Sequence, residues 1–229
     1  ISACLVGSEM CIRDRLKSLT RKNGRTYTLK DNKDRFLFPK EYIDFENCLK
    51  ERQKFSVIFL INTGARINEA INVKVSDVDF ESKRIVLRIT KTKSKKGEKK
   101  GKIRIIPIST QFSKYLKKEL RGKDPEDYLG ILSNPALNIA YKKAGKKAGI
   151  KDYWNISSHT FRKTLEVWLM SWGVSDLPLT AHIGHDIRTA ASHYVSPNIF
   201  SYDDKQQMRL VTDSYTHLRA HETGRNLVC

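Results

Sequence analysis

The sequence contains no long hydrophobic run. None of its apolar stretches approaches the roughly 20 consecutive residues that a membrane-spanning helix requires. Its basic residues are also not gathered on one amphipathic helix, as they are in helices that lie on membrane surfaces. We therefore expect no membrane partner. The length of 229 residues and the hydrophobic content of 39% suffice for a core, so a globular fold of one large or two small domains is expected.

Acidic residues are scarce. The chain has 25 Asp and Glu against 43 Lys and Arg, which gives a formal net charge of +18 at pH 7. This excess of positive charge is larger than solubility requires, and it indicates a polyanionic partner. The simplest such partner is nucleic acid.

Cysteines are also few, and three of the four lie near the ends, at Cys4, Cys11 and Cys229. The segments that hold them, residues 1–15 and 214–229, lack hydrophobic periodicity and resemble translated sequencing-adapter read-through. We expect both segments to be non-native flanks that take no part in the fold. Only Cys48 then remains, so we expect neither a disulfide framework nor a cysteine-based metal site, and the reducing cytoplasm is the expected location.

Between the flanks, the pattern predicts a polar segment followed by one folded domain. Residues 16–38 are polar and basic with a turn signal at Asn23-Gly24, which is typical of a linker or the end of a preceding domain. Residues 39–213 are predicted to fold. Helical patterns begin at Pro39 and continue to Gly64, where glycine is expected to end a buried helix. A short helical turn is expected at ARINEAIN, residues 65–72.

The pattern changes to β-strands between residues 78 and 108. Two runs rich in β-branched residues, RIVLRITKT and KIRIIPIS, flank a lysine-rich loop and predict an antiparallel hairpin. From Lys83 to Arg104 this hairpin holds eleven Lys and Arg against Glu98 alone. The charged end of the hairpin is therefore either exposed to solvent or an arm that contacts phosphates, and we favour the arm.

The remaining segments are predicted to be helical. Helices are expected over STQFSKYLKKEL, NPALNIAYKKAGKKAGI and SSHTFRKTLEVWLMSWG, followed by short helices at 176–183 and 187–194. In the third of these, Phe161, Leu165, Trp168 and Leu169 form the apolar stripe and Gly173 marks the stop. The predicted fold class is mainly α with a small antiparallel β-sheet (α+β).

Several residues in these elements together fit metal-free attack on a phosphodiester. His159 and Arg162 are three residues apart and share one face of a helix, and the set is completed by Arg66, His185, Tyr194 and a hairpin lysine. Two guanidiniums can bind the non-bridging oxygens, where charge develops in the transition state. A histidine can accept the tyrosine proton while the lysine protonates the leaving sugar oxygen. Neither a metal nor a nucleotide cofactor is needed.

The segments TGARINEA, SHTFRKT and HIGHDIRTAASHYV resemble the signature boxes of the tyrosine recombinase (phage integrase) family, over roughly residues 38–200. The HTFRKTLEVWLMSWG segment resembles the archaeal branch of that family. The resemblance implies a catalytic-domain-like fold and assigns a role to each matching position. Arg66 and Arg162 would bind phosphate, His159 would accept the proton, His185 would donate a second hydrogen bond, and Tyr194, nine residues after His185, would be the nucleophile. The general-acid lysine aligns with Lys91, and Lys93, on the same strand face, is the alternative.

Other interpretations stay open for each motif alone. Arg66 and Glu69 could be a plain ion pair, and His159 could be satisfied by solvent at a helix start. His182, His185 and His193 could suggest zinc, but no cysteine or well-spaced carboxylate completes four ligands. The order and spacing of the boxes together favour catalysis.

The resemblance implies a site-specific DNA recombinase or integrase that forms a 3′-phosphotyrosine intermediate on double-stranded DNA. Family members usually carry an N-terminal DNA-clamping domain, of which residues 16–38 could be a remnant, and assemble as tetramers on DNA. The alternatives are a type IB topoisomerase and a DNA-binding module that has lost catalysis. The short box around His185 favours the recombinase.

Overall fold

A computed structural model describes residues 18–20, 26–28, 35–89, 102–184 and 199–212. The α-helices of these ranges are α1 (Pro39–Asn47), α2 (Glu51–Thr63), α3 (Ile67–Ile71), α4 (Thr110–Glu119), α5 (Asn134–Lys147), α6 (Ser158–Ser171), α7 (Asp176–Ile183) and α8 (Tyr202–Val211). Short 3-10 helices lie at Val75–Asp77 and Tyr153–Asn155. No helix among the described residues is long and apolar enough to cross a membrane. The predicted helix at 187–194 lies outside the described residues.

The strands form two small antiparallel sheets. They are β1 (Ser18–Thr20), β2 (Thr26–Thr28), β3 (Val78–Asp79), β4 (Arg84–Ile89) and β5 (Lys102–Pro107). β1 pairs with β2, and the second sheet has the order β3-β4-β5. In the β4–β5 pair, Val86 lies opposite Ile105. The predicted hairpin is therefore present, with β3 as an added edge strand, and the predicted class of a mainly helical fold with a small antiparallel sheet is confirmed.

The core is built around α6. Its predicted stripe of Phe161, Leu165, Trp168 and Leu169 is fully buried. The Trp168 ring meets Tyr42 of α1 edge-on at 5.9 Å, and the Phe161 ring lies 5.7 Å from that of Phe45. Each fully buried large apolar side chain contributes about 1.5–3 kcal/mol. Because α6 is enclosed by its neighbours, the side chains on its first turns are held in fixed positions.

Residues 35–38, which precede the predicted boundary at Pro39, are part of the packed fold. Phe36 and Leu37 are buried, and Trp168 Nε1 donates a hydrogen bond to the Leu37 carbonyl at 3.1 Å. Arg35 is itself buried and pairs with Glu41 and Asp152. The short run Phe36–Phe38 has no helical or strand periodicity, so sequence patterns could not separate it from the preceding polar segment.

The first box is positioned by a left-handed glycine. Gly64 ends α2 with φ +59°, and a Cβ there would lie 2.8 Å from Ile183 Cδ1. Glycine is required for both the backbone conformation and the close contact. The predicted end of the buried helix is therefore correct, and the chain turns sharply from α2 into α3.

The last described helix, α8, was not predicted. Ser201 caps it by accepting a hydrogen bond from the Asp204 amide at 3.1 Å. Met208 is fully buried, and its sulfur accepts a hydrogen bond from Ser171 Oγ at the end of α6. The exposed Tyr202 and Leu210 obscure the weak apolar stripe of this helix.

Candidate active site

Helix α6 positions two of the predicted site residues. His159 is exposed on its first turn, whereas Arg162, one turn further on, is 1% exposed. The Ser157 amide donates a hydrogen bond to Thr160 Oγ1 at 3.0 Å and fixes the start of the helix. A surface imidazole thus stands above a buried guanidinium on one helical face.

Arg162 is bound to the turn that precedes Arg66. Its Nη1 donates a hydrogen bond to the Gly64 carbonyl at 2.5 Å. Burial, together with the positive charges of Arg66 and Arg104, lowers the pKa of Arg162 to about 9. The buried guanidinium charge therefore lowers the stability of the fold, and a bound anion would offset this loss.

Arg66 and Glu69 form the ion pair that the sequence allowed. Arg66 Nη1 lies 2.9 Å from Glu69 Oε1, and the Arg66 amide donates to Glu69 Oε2 at 3.0 Å. Glu69 is buried, whereas the Arg66 side chain is 46% exposed. The pair is also part of the candidate site, because the buried carboxylate orients a guanidinium that stays accessible to a ligand.

Arg104 is a member of the site that sequence analysis did not single out. It lies on β5, is 7% exposed, and its Nη2 donates a hydrogen bond to Glu69 Oε2 at 2.7 Å. Ile103 and Ile105 on either side of it are exposed. Strand alternation could have predicted its burial, since Arg104 shares a face with the buried Ile106. A charged residue between two isoleucines nevertheless suggests that the arginine faces solvent and the isoleucines face the core.

Burial works to raise the pKa of the Glu69 carboxyl, but Arg104 and the hydrogen bonds from Arg66 outweigh it, so that this pKa is lowered. Glu69 therefore stays ionised between two arginines. Glu166, on the next turn of α6 after Arg162, is paired with Lys163 at 3.3 Å.

The end of α7 closes the site on another side. Gly184 follows this helix with φ +72°, and its carbonyl accepts a hydrogen bond from Arg66 Nη2 at 3.2 Å. The His182 carbonyl accepts one from Arg104 Nη1. Burial and the charges of Arg104 and Arg162 lower the pKa of the His182 imidazole to about 4. His182 is therefore a neutral, buried neighbour of the arginines.

The other predicted site residues, Lys91, Lys93, His185 and Tyr194, lie outside the described residues. The same holds for His193, which was weighed as a metal ligand. In the part of the chain that is described, no three His, Cys, Asp or Glu side chains form a group that could hold a metal ion.

The described geometry is suited to binding an anion. Arg66, Arg104 and Arg162 lie close enough that the first two lower the pKa of the third, and Glu69 contacts Arg66 and Arg104. The three guanidiniums outnumber the two carboxylates that act on them, Glu69 and Glu166, so that positive charge is in excess. Arg66 is the accessible one, and its donors can meet oxygens of a phosphate in the paired geometry that guanidinium favours.

Comparisons with known proteins identify the family of the chain. The model of the phage integrase family matches residues 31–199. The chain is 32% identical over 143 residues to tyrosine recombinase XerA of Saccharolobus solfataricus, covering 62% of this chain and 45% of the relative. It is 30% identical over 147 residues to the XerA of Pyrococcus horikoshii, covering 58% and 46%. The chain thus spans less than half the length of these relatives.

Solved structures show the same fold. The crystal structure of XerA recombinase superposes with a TM-score of 0.55 at 21% identity, over 76% of this chain and 64% of that one. The catalytic domain of bacteriophage HP1 integrase gives 0.53 at 21% identity, over 72% and 90%. The Tn1549 transposon integrase in complex with transposon right end DNA gives 0.56 at 17% identity, over 77% and 65%. With the family match extending over most of the chain, the protein belongs to the tyrosine recombinase (phage integrase) family.

Proposed function

We propose that the protein is a site-specific DNA recombinase that cleaves and rejoins double-stranded DNA through a 3′-phosphotyrosine intermediate. The observation that carries the proposal is the gathering of Arg66, Arg104 and Arg162 near the buried carboxylate of Glu69, which contacts the first two. Such an excess of charge suits the non-bridging oxygens of a phosphodiester, on which negative charge develops during attack. The formal charge of +18 favours the same polyanionic partner.

The reaction we propose needs no metal or nucleotide cofactor. The Tyr194 hydroxyl oxygen attacks the phosphorus, the bond from phosphorus to the 5′ oxygen breaks, and the phosphate stays attached to the tyrosine. His159 accepts the phenol proton, and Lys91 or Lys93 protonates the leaving 5′ oxygen. Arg66 and Arg162 bind the non-bridging oxygens, and His185 donates a further hydrogen bond to them. Attack by the freed 5′ hydroxyl of another strand on the phosphotyrosine completes the transfer.

The wider setting of the reaction is proposed from the family. The catalytic domain spans residues 39–213 together with the packed residues from Arg35, and segments 1–15 and 214–229 lie outside it. The full-length protein assembles as a tetramer on DNA and acts in the cytoplasm, where the single interior cysteine, Cys48, stays reduced. Relatives in DNA complexes, such as the Tn1549 transposon integrase, support DNA as the partner.

The test is covalent capture of DNA. Wild-type protein is incubated with a pool of nicked suicide duplexes of random sequence, in which cleavage releases a short fragment and traps the adduct. Protein–DNA adducts that survive denaturation are isolated, their DNA is sequenced, and the modified peptide is identified by mass spectrometry. We expect an adduct at Tyr194 and one recurring duplex sequence, which then serves as the defined substrate.

The matched variants are Tyr194→Phe and Tyr202→Phe. We expect Tyr194→Phe to lose the adduct while keeping nearly full DNA affinity, because the hydroxyl is the nucleophile and contributes little to binding. Tyr202, an exposed tyrosine on α8, should be replaceable without loss. An adduct that persists in Tyr194→Phe contradicts the assignment, and absence of any adduct from the wild type indicates an inert binding module. Relaxation of supercoiled DNA without strand exchange would identify a topoisomerase.

A further inference from the structure

We propose that Arg104 is a positioning residue for the phosphate-binding arginine Arg66, which it orients without touching substrate. The inference rests on the proposed function, since it concerns the same site. Arg104 is buried, and both of its Nη atoms donate hydrogen bonds within the protein, to the His182 carbonyl and to Glu69 Oε2, whereas the Arg66 side chain is 46% exposed. Any influence of Arg104 on the reaction must therefore pass through its neighbours.

Both side-chain acceptors of Arg66 are held in place by Arg104. Arg66 donates from Nη1 to Glu69 Oε1 and from Nη2 to the Gly184 carbonyl. Arg104 donates from Nη2 to the other oxygen of Glu69 at 2.7 Å, and from Nη1 to the carbonyl of His182, two residues before Gly184. One buried guanidinium thus connects the carboxylate on α3 with the end of α7, and Arg66 is bound between them.

The contact with α7 has a specific physical basis. His182 lies in the last turn of α7, where carbonyl groups lack partners within the helix and carry partial negative charge. A guanidinium is the side chain best suited to satisfy such a carbonyl and a carboxylate at once, because its donors point in fixed, separate directions. A lysine at position 104 could serve only one of them well.

Gly184 shows how closely Arg104 approaches this turn. A Cβ on Gly184 would lie 3.1 Å from Arg104 Cδ and 3.3 Å from its Nε and Nη1. The Arg104 side chain therefore packs against the backbone whose carbonyl binds Arg66. Loss of Arg104 leaves Glu69 held by Arg66 alone and removes the contact that supports the Gly184 turn. We expect the Arg66 guanidinium to shift as a result.

The test compares Arg104→Met, Arg104→Lys and a control, Arg35→Met. Arg35 is also a buried arginine, with two acidic partners, Glu41 and Asp152, that belong to no part of the site. All proteins are assayed on the defined suicide duplex, at a temperature where each is folded. The single-turnover rate constant at saturating protein and the dissociation constant for DNA are measured separately.

We expect Arg104→Met to lower the rate constant by about 10- to 100-fold, as a misplacement of about 1 Å does in other active sites, with the dissociation constant changed by less than about threefold. Arg104→Lys should lie between Arg104→Met and the wild type. A purely structural role would reduce the amplitude of the reaction, which reports the folded fraction, and Arg35→Met would behave in the same way. Equal rate constants in Arg104→Met and wild type would overturn the proposal.

Crystal structures of the variants provide a readout that does not depend on DNA. In Arg104→Met or Arg104→Lys, whichever crystallises, we expect loss of the 3.2 Å hydrogen bond from Arg66 to Gly184. It should persist in Arg35→Met. An unmoved Arg66 in the Arg104 variants contradicts positioning. If wild-type protein forms no adduct, the proposed function fails, and the crystal structures still decide whether Arg104 orients Arg66.

Discussion

Arg162 Nη1 donates a hydrogen bond to the carbonyl of Gly64, 98 residues earlier in the chain, at 2.5 Å. The bond joins the first helical turns of α6 to the turn that precedes Arg66. The Arg162 side chain depends on the Gly64 backbone, because the carbonyl has its direction only while Gly64 keeps its left-handed conformation. The stability of this turn can therefore be tested at the glycine itself.

We expect Gly64→Ala to lower the free energy of unfolding by about 2–5 kcal/mol. A left-handed alanine costs about 1–2 kcal/mol, and the added Cβ would meet Ile183 Cδ1 at 2.8 Å and Leu165 Cδ2 at 3.1 Å, an overpacking that costs about 1–3 kcal/mol. The control is Gly149→Ala, with φ +69° and nothing within 4 Å of the added atom. Urea unfolding measures both variants, and equal losses would mean that the contact with Ile183 carries no strain.

His182→Leu should remove part of the acid sensitivity of the fold. Burial, Arg104 and Arg162 lower the pKa of His182 from 6.5 to about 4, so between these values the unfolded chain binds a proton that the folded protein does not. Stability then falls as the pH falls through this window, by about 1.4 kcal/mol per pH unit, on the order of 3 kcal/mol in all.

The measurement is urea unfolding of wild type and His182→Leu at steps from pH 8 to pH 4. The difference between the two curves should be constant above pH 7 and should grow in favour of the variant from about pH 6.5 downward. Carboxylates titrate in the same range, but they contribute equally to both proteins and cancel. Parallel curves throughout would show that the imidazole is protonated as readily in the fold as outside it.

The lysines of the hairpin loop should contribute to the salt dependence of DNA binding. Replacing Lys95, Lys96, Lys99 and Lys100 by Gln should lower the slope of log K against log salt by up to about 3–4, at about 0.9 for each phosphate that is no longer neutralised. Cleavage of pre-bound substrate should continue. The same four positions changed to Arg keep the charge and should keep the slope. A slope that is unchanged in the Gln variant would mean that these lysines are exposed to solvent and do not contact DNA phosphates.

A sulfur-substituted substrate distinguishes Lys91 from Lys93. In a 5′-bridging phosphorothiolate the leaving group is a thiolate that needs no proton, so a variant without the general acid regains its cleavage rate. We expect Lys91→Ala to be slow on ordinary DNA and rescued by sulfur, and Lys93→Ala to be mildly impaired on both. Arginine is no control here, because its pKa above about 12 makes it a poor proton donor. Rescue of Lys93→Ala instead would identify Lys93 as the general acid. If the sulfur substrate rescues neither variant, the hairpin does not supply the general acid and serves only to bind DNA.

Elements with a strong local signal could be predicted from the sequence. The stripe on α6, the glycine that ends α2 and the β-branched runs of β4 and β5 each have a periodicity or turn residue of their own. The proximity of Arg66 and Arg162 was also predictable, because the boxes that carry them have specific order and spacing. The catalytic roles of these residues stay predictions.

The parts that escaped prediction depend on tertiary contacts. Arg104 turns inward because Glu69 and the His182 carbonyl stabilise its charge, and both partners are distant in sequence. Phe36 and Leu37 are buried by α6 and its neighbours although no periodic pattern surrounds them. A local pattern cannot report a partner that only the completed fold provides.

The packing of residues 35–38 has a mechanical consequence. The rings of Phe36 and Phe38 both contact that of Phe200, at 6.0 and 5.5 Å, just before α8. The Leu37 amide donates to Thr164 Oγ1 on α6, two residues after Arg162. A force applied to the chain ahead of Arg35 is therefore transmitted directly to the helix that carries His159 and Arg162, and to the segment leading into α8. Motion of a protein segment attached on that side would therefore reach Arg162 through α6.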